Sequence, residues 1–158
     1  MAKVLLGFMG AGKSTIARGL DTNYLDMDSL IEERLGMSIA EFFAEKGEGA
    51  FRQIESEVLA DLLQKDQVVS TGGGVVISQR NRDLLKTNPD NIYLKADFET
   101  LYQRISADKD NLRPLFLNNS KEKLAAIFQE RQYWYEEAAS RVLDVTKLSP
   151  EEIIEELR

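Results

Sequence analysis

The sequence predicts an α/β fold: a parallel sheet with helices on both faces. Three observations carry this prediction. Apolar, β-branched runs alternate with amphipathic stretches along the chain. The first run, residues 3–8, passes through a glycine-rich turn directly into helical sequence. The run at 67–71 also ends in glycines, at the strand end where open parallel sheets bind ligands.

The elements follow in order. KVLLGF (3–8) reads as a buried strand, and a helix follows the glycines from Lys13 to about Leu20. NYLDMD is a second, short strand on which Asp26 and Asp28, two residues apart, point to the same side. Ser29 with Glu32 gives a capping-box pattern that opens a helix, and Ser38 with Glu41 repeats it. Over 49–64, Phe51, Ile54, Val58 and Leu62 keep helical spacing. QVVSTGGG is a strand running into a turn, and NIYLK (91–95) is another strand, followed by a helix with Asp97 as N-cap. The longest polar stretch, SADKDNLRPLFLNNSKEK, reads as a mobile loop, with 108–120 expected to act as a lid. A long amphipathic helix covers about 121–139, and RVLDV is the fifth strand. Ser149, Pro150, Glu151 and Glu152 supply the cap, N1 proline and acidic first turn of a last helix.

With no repeat, low-complexity tract or linker, the 158 residues read as a single domain, 1–158. A net charge of −7 argues against a nucleic-acid surface, though a few clustered cations could still hold a small anion. No run approaches the ~18–20 apolar residues of a membrane span, and the N-terminal apolar run is too short for a signal peptide. The absence of cysteine excludes disulfides and thiolate chemistry and fits a cytoplasmic protein. The absence of histidine removes Ser-His triads and the commonest general base. Acid–base work must fall to carboxylates, lysine or tyrosine.

Gly7 to Ser14 fits G-x-x-x-x-G-K-[ST], the phosphate-binding loop, with a strand before it and a helix after. The glycines let backbone N–H groups turn toward phosphate oxygens, and the helix presents its positive N-terminus to them. Lys13 would reach the β- and γ-phosphates, and the Ser14 hydroxyl would ligate Mg²⁺. Two adjacent carboxylates disfavour each other's ionisation unless something uses them. Beside a Mg-nucleotide, one of Asp26 and Asp28 can face the metal through water, while the other orients an attacking hydroxyl. Asp28 is the candidate base. Gly72, Gly73 and Gly74 form either a very tight turn or a backbone approach to a ligand. Arg131, on the stripe Leu124, Phe128, Tyr135 and Ala138, is either a structural ion pair or an anion clamp. Arg52 with Glu55 reads as a helix-surface pair, and Arg113 as a loop arginine able to close over phosphates.

Together, GFMGAGKST, YLDMDSLIEE, SIAEFFAEKGEGAFRQIE, VVSTGGG, NLRPL and RQYWYEEAA resemble the shikimate kinase family over nearly the whole chain. The resemblance implies a three-layer α/β/α fold of the P-loop NTPase type, with a five-stranded parallel sheet of order 2-3-1-4-5. It implies transfer of the ATP γ-phosphate to the 3-hydroxyl of shikimate, on the route to aromatic amino acids, by a monomer needing Mg²⁺. Carried over by position, Gly10, Ala11, Gly12, Lys13, Ser14, Thr15 and Arg113 would bind nucleotide, with Ser14 and Asp26 at the metal. Asp28, Arg52, Gly73, Gly74 and Arg131 would bind shikimate, through helices at about 28–66. Lys13, Asp28 and Arg113 would act in catalysis. Between Lys13 and Asp26 this chain is shorter than the family pattern, so its first helix must end near Leu20 and the turn at 21–23 must be tight.

Two other readings have distinct signatures. A related kinase could act on another polyol acid, such as gluconate. A GTP-dependent switch would carry D-x-x-G and N-K-x-D elements, and the sequence contains neither.

Overall fold

A computed structural model describes residues 1–108 and 114–158, with Pro114 described by its backbone alone. Its elements are β1 (Lys3–Leu6), α1 (Lys13–Leu20), β2 (Leu25–Asp26), α2 (Met27–Leu35), α3 (Ile39–Leu62), β3 (Val68–Ser70) and α4 (Gln79–Lys86). Then come β4 (Asn91–Lys95), α5 (Phe98–Ala107), α6 (Pro114–Leu117), α7 (Lys121–Ala138), β5 (Arg141–Asp144) and α8 (Pro150–Leu157). Among the described residues, five strands form one parallel sheet in the order β2-β3-β1-β4-β5. This is the expected order. The central strands are apolar because both faces are covered: Val4, Leu5, Leu6, Ile92, Tyr93 and Leu94 are all buried. Burying each such side chain contributes roughly 1.5–3 kcal/mol, which fixes the sheet as the frame for the loops above it.

The shortened connection resolves as expected. Helix α1 stops at Leu20, where the Asp21 N–H donates to Ala17 O. The Asp21 carboxylate then accepts from Asn23 N at 2.8 Å and from Val68 N at 3.3 Å, tying the tight turn to the start of β3. Gly47 breaks α3 with φ 84°, so the predicted pair of helices forms one kinked element.

Several expectations need correction. Asp26 and Asp28 do not share a strand face, because β2 ends at Asp26 and Asp28 lies in the first turn of α2. Asp26, not Ser29, caps that helix, accepting from Ser29 N at 3.2 Å, while Glu32 accepts from Ile39 N at 2.9 Å. Helix α4 was not anticipated, since its buried residues are Asn81, Arg82 and Leu85, and only one of them is apolar. The polar stretch read as a loop also contains the short α6. Arg113 and residues 109–112 of the expected lid lie outside the described residues. Among the described residues, no helix is long and apolar enough to cross a membrane.

Candidate active site

The glycine loop between β1 and α1 forms the floor of a cleft of about 720 Å³ at the C-terminal edge of the sheet. Gly10 (φ 83°) and Gly12 (φ 86°) hold left-handed conformations that side-chain-bearing residues rarely adopt. They bend the loop so that Gly12 starts α1 without any side-chain cap, leaving first-turn N–H groups for an anion. Lys13 Nζ sits over this ring, 2.5 Å from Gly7 O and 3.2 Å from Phe8 O. Ala11 and Thr15 complete the loop, and Thr15 lines the cleft with Gly10, Gly12 and Ser14.

Sheet register brings the candidate metal residues together. Asp26 is paired with Ser70 across β2 and β3, and Ser70 Oγ lies 3.3 Å from Ser14 Oγ. A hydroxyl and a carboxylate are hard oxygen donors. A site with so few protein ligands suits Mg²⁺, which keeps several waters and takes phosphate oxygens as partners. Capping α2 occupies Asp26 Oδ1 and leaves the other carboxylate oxygen available.

Asp28 lines the same cleft. Its carboxyl is held above the usual aspartate range, first by desolvation from the surrounding protein and then by the Asp26 charge; Lys13 and Arg52 oppose the shift. The residue nevertheless keeps substantial contact with solvent on the open side of the cleft, and that water screens the shift. The glycine run is fitted to these side chains. A Cβ at Gly72 would fall 2.5 Å from Asp28 Oδ1, and one at Gly74 would fall 3.2 Å from an Arg52 Nη. Gly73 lies beside Arg131. None of the three has positive φ, so clearance for neighbouring groups, and not turn geometry, explains Gly72 and Gly74, while a Cβ at Gly73 would meet only ordinary contacts. Gly72→Ala is therefore expected to lower kcat by displacing Asp28 while leaving the fold intact. Steady-state kinetics with a thermal melt checks this, and unchanged kcat would contradict it.

Arg52 is no surface pair. Its Nη1 donates to Glu55 Oε1 at 2.9 Å and to Gly74 O at 3.0 Å, and Glu55 is only 2% exposed. Burial raises the Glu55 carboxyl, opposed by the Arg52 guanidinium and by a hydrogen bond from Asn81 Nδ2 at 2.9 Å. Arg131 lies over the Phe8 ring at 5.7 Å and, among the described residues, makes no ion pair. Sequence reasoning missed Ser70 and Arg104, which reaches to 3.5 Å from Gly10 O, and it placed Glu55 on the surface. The signal for Glu55 was available: it is an acidic residue between Ile54 and Val58 on an apolar stripe. A second cavity of about 650 Å³, near the ends of β4 and β5, contains none of the predicted residues.

The family model described as shikimate kinase matches residues 9–158. The chain belongs to the shikimate kinase family. A shikimate kinase of Streptococcus gordonii is 52% identical, covering 100% of this chain and 99% of that one. A structure of shikimate kinase from Acinetobacter baumannii in complex with shikimate has TM-score 0.88 and 32% identity, covering 99% of this chain and 89% of that one. The enzyme from Aquifex aeolicus has TM-score 0.79 and 32% identity, covering 99% and 93%. The streptococcal match spans the shortened α1 region of this kinase, so that connection is compatible with the family's architecture.

Proposed function

We infer that the chain transfers the γ-phosphate of ATP to the 3-hydroxyl of shikimate, giving shikimate 3-phosphate and ADP. The observation that carries this reading is the cleft itself. The phosphate loop shares the cleft with the Asp28 carboxylate and Arg131, and Arg52 stands behind Gly74, which lines it. A triphosphate needs the loop, and a small hydroxy acid needs the carboxylate and the arginines.

Phosphoryl transfer leaves the protein chiefly the tasks of positioning and charge stabilisation. The amides of Gly10, Ala11, Gly12, Ser14 and Thr15 hold the phosphates, and Lys13 balances charge on the transferring group. Ser14 and Asp26 would hold Mg²⁺, which when bound neutralises charge on the β- and γ-phosphates. Asp28 accepts a hydrogen bond from the attacking hydroxyl and orients it. Arg52, Arg131 and the backbone at Gly73 and Gly74 grip the substrate carboxylate. Arg113 is assigned to the nucleotide by its place in NLRPL alone.

Arg131→Ala should raise the KM for shikimate by at least about tenfold with little change in the KM for ATP, because a charge-assisted hydrogen bond is worth roughly 1.5–3 kcal/mol. Equal increases in both constants would contradict that assignment. The reaction itself is tested by coupled ADP release with Mg-ATP and either shikimate or gluconate. Turnover with shikimate alone supports it; no rate above background, or faster turnover of gluconate, overturns it.

A further inference from the structure

The two arginines assigned to the substrate carboxylate are held in different ways. Arg52 faces carboxylates: Glu55 at 2.9 Å and Glu48 at 3.4 Å. Much of its charge is therefore compensated before any ligand arrives. Among the described residues Arg131 has neutral neighbours: it lies over the Phe8 face, and its Nη1 and the Tyr135 hydroxyl stand 3.7 Å and 3.8 Å from the point a Cβ on Gly73 would occupy. Its charge stays available in the cleft.

Tyr135 itself is 0% exposed, and its hydroxyl donates to Gly73 O. One buried hydroxyl thus bonds the glycine loop at the place where Arg131 approaches it. Burial pushes the phenol well above its ordinary range, so it keeps the proton it donates. The ring is fixed independently by a tilted stack on Tyr93, with centroids 5.0 Å apart.

We propose that Tyr135 is a positioning residue for the substrate: its hydroxyl ties Arg131 to the Gly73 carbonyl, fixing the carboxylate-gripping arginine without neutralising it. A carboxylate at this position would hold Arg131 equally well but would cancel the charge needed for the ligand. A phenol holds it and leaves the charge in place. The proposal rests on shikimate being the ligand of this cleft.

The test is a double-mutant cycle with Tyr135→Phe and Arg131→Ala, reading shikimate affinity by calorimetry, the KM for ATP and the melting temperature. Tyr135→Phe keeps the ring and its stack, so it removes the hydroxyl alone. Shikimate affinity should fall about tenfold, as expected for one lost hydrogen bond to a charged group, with the KM for ATP unchanged. On the Arg131→Ala background the same change should have no further effect. Unchanged shikimate affinity in Tyr135→Phe would overturn the proposal. So would a loss that persists in full without Arg131, or parallel losses for both ligands together with a lower melting temperature. Binding is read without turnover, so a wild-type chain that binds shikimate but does not phosphorylate it defeats the proposed reaction and still lets the cycle decide Tyr135. A wild-type chain that does not bind shikimate defeats both.

Discussion

Asp28→Asn is expected to lower kcat by ~10²-fold or more, the usual scale for a positioned acid–base group, while ATP binding changes little. The substitution keeps the shape of a side chain for which Gly72 leaves clearance, but it removes the negative acceptor that orients the hydroxyl. ATP affinity rests on Lys13 and the loop amides, which the change leaves in place. The same variant should melt at a higher temperature when unliganded. Desolvation and Asp26 raise the folded-state pKa of Asp28, so the folded protein favours its proton more than the unfolded chain does. The ionised group therefore subtracts from stability once pH rises past its unfolded value, fully so above the raised folded one. Asparagine removes that penalty, and the gain is modest because cleft water screens the charge. Near-normal kcat with a collapse of ATP affinity would move Asp28 to the metal site.

Lys13→Met should lower kcat by ~10²–10³-fold, the range found when one preorganised donor to developing charge is removed. Methionine approximates the length of the side chain without the ammonium that sits over the loop carbonyls. A second effect separates this role from simple loss of binding. The Lys13 charge lowers the Asp28 pKa, so its removal lets that pKa rise. The acid limb of the pH–rate profile should then move to higher pH, since Asp28 must be ionised to accept the hydroxyl proton. Measuring kcat at saturating ATP across pH checks both points, and an unmoved acid limb would contradict the electrostatic link.

Much of this architecture is legible in local sequence. The strands are apolar runs closed by glycine or acidic residues, and Ser38, Asp97 and Ser149 act as the caps their positions suggest. The phosphate loop is local as well, since its geometry follows from glycines three and one residues before Lys13. What escaped local reading depends on long-range neighbours. Helix α4 buries Asn81 because Ser56 and Glu55, some 25 residues earlier, supply its partners. Asp26 and Asp28 both line the cleft because a strand ends and a helix begins between them, not because of strand alternation. Gly72 differs from its neighbours only through Asp28, which lies on another element.

The central claim is that this cleft delivers the ATP γ-phosphate to one particular hydroxyl of one particular acid. The most direct measurement is proton–phosphorus correlation NMR of the product formed from shikimate and Mg-ATP. The account predicts a single phosphate ester whose phosphorus couples to the proton on carbon 3. Phosphorus coupled to another ring position, or ADP accompanied only by inorganic phosphate, would contradict it.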